Sequence, residues 1–167
     1  MSAVSLIART LSGLALVALM ACSPRWNWRQ VQLDGVSYWS PCKPEVLRRS
    51  VPLAGVDRRM TLAACDAGGA TWAVGAVPVR DPADATRVLD VLRRAAADNL
   101  GAAEAPAPQA SAARLSGRRP GGQAVILWAQ WRASPGWAVQ ASVLAAQDSA
   151  QLTQARAMFF GDLPPTP

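Results

Sequence analysis

Asp81-Pro82-Ala83-Asp84-Ala85-Thr86-Arg87-Val88-Leu89-Asp90-Val91-Leu92-Arg93-Arg94-Ala95-Ala96-Ala97-Asp98-Asn99-Leu100-Gly101 is the stretch that divides the chain into comparable halves. Asp81 is a good N-cap, Pro82 suits the first turn, and Asp84 adds negative charge where the helix dipole favours it. Ala85, Val88, Leu89, Leu92, Ala96 and Leu100 recur at helical spacing and form one apolar stripe. Arg87, Asp90, Arg94 and Asp98 lie opposite, with Asp90 and Arg94 one turn apart. Gly101 stops the helix.

Working back towards the N-terminus, residues 70–79 are almost wholly apolar and read as a central strand covered on both faces. Ala67-Gly68-Gly69 is a hairpin turn. It is not a phosphate loop, because no Lys followed by Ser or Thr comes after it. In the strand at 58–66, Met60, Leu62 and Ala64 point one way and Arg59, Thr61, Ala63 and Cys65 the other, which is expected to set Cys65 at the rim of the sheet, away from the main core. Gly55-Val56-Asp57 turns the chain. Residues 46–54 form a short strand near an edge, because Pro52 cannot serve a central ladder. Residues 31–39 read as strand interrupted by a turn at Asp34-Gly35.

On the C-terminal side, residues 102–112 are a loop with Pro106 and Pro108. Strands follow at 113–118, 123–133 and 137–145, separated by Arg119-Pro120-Gly121-Gly122 and Ser134-Pro135-Gly136. On the second of these strands, Val125, Leu127, Ala129 and Trp131 share a face. A second helix starts at Asp148, with Gln151 three residues on as a capping-box partner. Leu152, Ala155 and Phe159 face inward, with Met158 as a further candidate, and Gly161 ends the helix.

The order is strands, helix, strands, helix. Hairpin-linked strands imply an antiparallel sheet, so the expected fold class is α+β, one sheet covered by two helices. This plan resembles the PsbP-like α/β/α sandwich of small bacterial envelope proteins. The resemblance rests on Tyr38-Trp39-Ser40-Pro41-Cys42-Lys43-Pro44-Glu45 after the first strand and the Gly68-Gly69 hairpin before the central strand. The Asp81-Pro82 helix start and Phe159-Phe160 near the end of the last helix complete it. It covers nearly the whole chain after residue 21 and carries over no functional residue. Photosynthetic members of that family bind an assembly and do no chemistry of their own, which implies a binding or accessory role.

The N-terminus adds a location. Residues 1–10 carry one positive charge, Arg9, and no acid. Residues 11–20 are apolar, with Leu11, Leu14, Leu16, Val17 and Leu19. As a helix they would reach roughly 15 Å, half of a bilayer core, so they read as the apolar region of a secretion signal. They end in Leu19-Met20-Ala21-Cys22, which resembles the lipobox of bacterial lipoproteins. The resemblance implies a diacylglycerol thioether on Cys22, removal of residues 1–21 and acylation of the new amino terminus, an anchor of two or three chains. Ser23, where an Asp would retain the protein in the inner membrane, favours the outer membrane facing the periplasm. The expected organisation is a signal at 1–21, a lipid-anchored tether at 22–30, one domain at 31–163 and a disordered tail at 164–167. In the tether, Trp26 and Trp28 flanked by Arg25 and Arg29 have two readings. They rest at the membrane interface, or they are the first inward residues of a strand.

Composition removes several chemistries. The chain has no His, which excludes Ser-His-Asp and Cys-His catalysis and His-ligated metal sites. With Cys22 lipidated, Cys42 and Cys65 remain, an even pair expected to form a disulfide in an oxidising compartment. Two thiols without His or clustered carboxylates make no metal site, and they lack the C-x-x-C spacing of a redox pair. No cofactor is expected. The chain carries 17 basic and 11 acidic residues; removing Arg9 with the signal leaves 16 and 11, a net charge of +5. Arg48-Arg49, Arg58-Arg59, Arg93-Arg94 and Arg118-Arg119 are candidate contacts for lipid phosphates or an anionic cell-wall polymer. The competing reading is scattered solvated faces. Nucleic acid is not an expected partner outside the cell membrane.

Two functional classes follow. The first is a non-catalytic envelope lipoprotein, partnered with the membrane through its anchor and with another envelope component. The second is a cell-wall-acting enzyme that uses carboxylates alone, for which Asp84/Asp90 and Asp98/Glu104 are the candidate pairs and helix-surface charge the plainer account. It would require two carboxyl groups roughly 5–10 Å apart in a cleft. A Ser40–Lys43 dyad competes with an exposed turn lysine. No catalytic residue is assigned.

Overall fold

The strand register is set by two-residue turns that only left-handed backbone can make. Asp34-Gly35, Ala54-Gly55 and Gly68-Gly69 all have positive φ, and each closes a hairpin whose twist such turns match. The computed structural model describes residues 25–161; the expected signal, Cys22 and the tail at 164–167 lie outside them. Among the described residues the chain runs β1 (Arg29–Leu33), β2 (Val36–Ser40), β3 (Glu45–Leu53), β4 (Val56–Ala67), β5 (Ala70–Pro78), α1 (Pro82–Leu100), β6 (Ala112–Arg118), β7 (Ala124–Ser134), β8 (Trp137–Ala145) and α2 (Ala150–Gly161). It is an α+β fold. β1 and β2 form their own two-stranded sheet, and the rest form a six-stranded sheet in the order β3-β4-β5-β8-β7-β6. Every pairing is antiparallel. β5 sits at the middle, which is why its sequence is apolar throughout.

Each face of the large sheet has its own cover. α1 lies over β6, β7 and β8. There Val88, Leu89, Leu92 and Leu100 pack on Leu115, Leu127, Ala129 and Trp131. On the other face the β1–β2 hairpin and α2 together cover β4, β5 and β8. Leu33, Val36, Tyr38, Leu152 and Phe159 meet Trp72, Val74, Val139 and Val143. Phe159 is the hub of that layer, edge-on to Trp72 at 5.2 Å and to Tyr38 at 6.2 Å between centroids.

α1 has the ends its sequence implies. Asp81 accepts the Asp84 backbone N–H at 2.7 Å, a cap worth about 1 kcal/mol. Gly101, at φ 57°, returns its N–H to Ala97 and Asp98. β6 approaches this end so closely that a Cβ on Gly117 would overlap the Leu100 carbonyl.

Several expectations are corrected. Thr61 and Ala63 are each 1 % exposed, so the Cys65-bearing face of β4 is its deeper one. Met60 and Leu62 are only half-buried, because α1 covers the other end of the sheet. Asp84 is not surface charge but fully buried. Asp90 pairs with Arg93 at 2.7 Å, not with Arg94. α2 begins at Ala150 with Ser149 as its cap, the hydroxyl accepting the Leu152 N–H at 3.1 Å. Asp148 instead binds Arg156 at 3.1 Å. Met158 points outward, 44 % exposed.

Candidate functional site

Trp26 and Trp28 fix one pole of the molecule. The Asn27 N–H donates to the Pro41 carbonyl at 2.8 Å, which holds residues 26–28 extended and turns both indoles to one side. Their rings lie 6.3 Å apart, and each meets Trp72 edge-on, at 5.6 and 6.2 Å. Trp72 Nε1–H donates to the Ala67 carbonyl at 3.0 Å. Trp26 covers the Gly68 turn so tightly that a Cβ on Gly68 would run into its ring. Arg25 donates to the Gln151 side chain on α2. Both tryptophans face inward, as the second reading has it, but they precede the strand, which begins at Arg29, within the stretch read as tether.

Beside this cluster, Cys42 and Cys65 are at disulfide distance, with Cα atoms 6.0 Å apart. They join the β2–β3 turn to β4. The Ser40 hydroxyl donates to the Cys42 carbonyl at 2.8 Å and lies 3.5 Å from Cys65 Sγ. Ser40 is therefore a buried structural hydroxyl, whereas Lys43 is exposed. Next to the disulfide a shallow groove runs along the sheet edge, floored by Leu47, Leu62 and Ala64 and flanked by Lys43, Glu45 and Asp66.

The four arginine pairs do not converge. Arg48-Arg49 and Arg58-Arg59 sit on the β3–β4 hairpin, Arg118-Arg119 at the far end of the sheet order, and Arg93-Arg94 on α1. In two of the pairs one member is internal. Arg58 grips Asp84 with both terminal nitrogens, at 2.7 and 2.9 Å. Arg93 is 5 % exposed, donates to the Ala110 carbonyl at 2.7 Å and stands over the Trp131 ring. Arg49, Arg59 and Arg94 are exposed. Arg119 reaches Thr71 Oγ1 at 3.5 Å, and that hydroxyl donates to Asp66 at 2.6 Å.

The carboxylates do not form an acid–base pair. Asp84 and Asp90 are six residues apart on α1, which sets them about 120° apart around the helix, and each has its own arginine. The hydrogen bonds from Arg58, then that from the Arg80 backbone N–H, outweigh burial and hold the Asp84 carboxyl down at about 2. The Thr61 hydroxyl and the Arg48 guanidinium hold Asp34 below the usual carboxylate range as well. A general acid needs the opposite shift. Asp98 and Glu104 are both exposed. Among the described residues no three His, Cys, Asp or Glu side chains gather to hold a metal, and no helix is long and apolar enough to cross a membrane.

Sequence reasoning missed Arg156, whose guanidinium lies 3.7 Å from the Trp128 ring centroid while bonding Asp148. Its signal was position: it lies one turn after Leu152, on the inward stripe of α2.

No family model matches the chain, and no curated protein or solved structure is similar to it.

Proposed function

We propose that the chain is an envelope lipoprotein of PsbP-like architecture with a non-catalytic, binding or accessory role. The observation that carries this reading is the docking of Trp26 and Trp28 on Trp72. Trp26, docked on Trp72, is four residues after Cys22 in sequence, a reach of at most about 14 Å. A lipid on Cys22 would therefore hold the Gly68-Gly69 pole close to the bilayer, on the outer membrane facing the periplasm. The opposite pole, with the turns at Asp34-Gly35, Ala54-Gly55 and Ser134–Gly136, would face away and be open to a partner. The burial of Asp84 beneath Arg58 and Arg87 supports a binding role over carboxylate catalysis.

Labelled palmitate fed to cells should enter the wild-type protein, which should sediment with membranes, while Cys22→Ala should lose the label and accumulate unprocessed. A photo-crosslinker at Gly55 should then capture an envelope component that one at Gly69 does not. An unlabelled, soluble wild-type protein would overturn the anchor. Identical capture from both poles would overturn the orientation.

A further inference from the structure

We infer that β3 is a self-pairing edge, through which two copies of this chain join their six-stranded sheets antiparallel, centred on Leu47. Among the described residues β3 ends the sheet order and pairs only with β4. Val46 is 47 % and Leu47 52 % exposed, and Val56 at the same hairpin is 45 % exposed. These are three of the four large apolar side chains exposed among the described residues.

The register follows from hydrogen-bond parity. The two-residue turn at Ala54-Gly55 closes on the Leu53–Val56 pair, which in such hairpins exchanges both backbone bonds. Odd-numbered residues of β3 therefore aim N–H and C=O at β4, and the even-numbered ones, Val46, Arg48 and Ser50, aim theirs outward. A symmetric antiparallel partner must match even residues with even. Centring on Leu47 sets Val46 against Arg48 of the second copy as the bonded pair. Leu47 then meets Leu47, and Glu45 meets Arg49, at the close non-bonded positions, where side chains touch best. Neither Glu45 nor Arg49 has an ionic partner among the described residues. Within one strand they are about 13 Å apart and cannot meet.

Neighbouring registers fail on charge. Centring on Val46 sets Lys43 against Arg49, and centring on Arg48 or Arg49 sets like charges face to face. Pro52 and the arginines thus blunt the edge against unlike strands while leaving one self-complementary alignment. In it, Arg49 of the second copy closes over Glu45 at the mouth of the groove floored by Leu47, Leu62 and Ala64. The two-fold reverses the strand direction, so the Gly68-Gly69 poles of the two copies point opposite ways. The dimer is therefore an alternative to the orientation proposed above for the chain anchored through Cys22, and its test is made free of the bilayer.

The test is made on the full mature chain in detergent. Leu47→Cys should give a disulfide-linked dimer on mild oxidation, above the wild-type background, and Arg49→Cys should not, since its two copies lie four residues out of step. Adding Glu45→Arg, or Arg49→Glu, to Leu47→Cys should lower the dimer yield roughly tenfold, and combining the two should restore it. All these sites are exposed, and circular dichroism verifies that each variant is folded. A folded Leu47→Cys protein without dimer, equal crosslinking at 49, crosslinking to a different protein, or no rescue by the double reversal would each overturn the inference.

Discussion

Asp84 accepts two bonds from Arg58, one from Arg87 and one from the Arg80 backbone, so its charge is saturated inside the protein. Its carboxyl titrates near 2, against an ordinary 3.8. A depressed carboxyl stabilises the fold above its unfolded value, and that stability is lost as the pH falls from about 4 through about 2. Asp84→Asn keeps the shape and removes the charge, leaving Arg58 buried without a counter-ion. The expected result is a melting temperature lower by on the order of 10 °C at pH 7, with the gap to wild type closing between pH 4 and 2. Thermal melts across that range check it; a gap that is absent at pH 7 or persists at pH 2 counts against the account. The acid was legible in the sequence as a helix-start residue, but its partner 26 residues away was not. A pattern does expose such residues afterwards. Asp84 lies one turn before Val88, Arg93 one turn after Leu89 and Arg156 one turn after Leu152. Each is a charge on an inward stripe, which demands a buried counterpart.

The turn between β4 and β5 shows what separates two adjacent glycines. Gly68 and Gly69 have φ of +60° and +77°, so alanine at either site meets the left-handed backbone cost of about 1–2 kcal/mol. A Cβ on Gly69 would meet nothing within 4 Å, whereas one on Gly68 would enter the Trp26 ring. Gly68→Ala should therefore lower the denaturation midpoint clearly more than Gly69→Ala, and should shift tryptophan emission to the red as Trp26 is displaced. Equal losses with unchanged emission would mean that Trp26 does not seat on the turn. At this scale most of the fold was legible. The Asp81 and Gly101 caps, the Gly68-Gly69 turn and the Pro52 edge are local chemistry and lie where the sequence placed them, whereas the turn read at Gly55-Val56-Asp57 is made by Ala54-Gly55, with Val56 and Asp57 already in β4. The inward side of β4 was not legible, because both faces of the sheet are covered and alternation alone does not rank them. Nor was the separation of β1–β2 into its own sheet, since hairpin signals do not say which sheet a hairpin joins.

At the scale of the whole molecule, that separate hairpin must be held to the large sheet by something other than strand hydrogen bonds. Its apolar side, Leu33, Val36 and Tyr38, packs on the sheet, and its exit is tied to β4 by Cys42 and Cys65, 23 residues apart in sequence. By chain entropy a loop of that length makes a bridge worth about 3 kcal/mol, a sizeable share of the roughly 5–15 kcal/mol of a whole domain. The bridge also fixes Pro41, whose carbonyl receives the Asn27 N–H, so its effect extends to the docked Trp26 and Trp28. Reduction should consequently act in two ways. The melting temperature should fall, and the tryptophan environment should loosen under conditions where the large sheet is still folded. The Cys42→Ser/Cys65→Ser variant should reproduce both without reductant. Thiol titration of the unfolded, unreduced Cys22→Ala protein tests the bridge itself, and two reactive thiols would refute it. Tryptophan emission followed alongside far-ultraviolet dichroism tests the mechanical claim. If the two signals change together on reduction, the disulfide stabilises the fold as a single unit and not the seam between its two sheets.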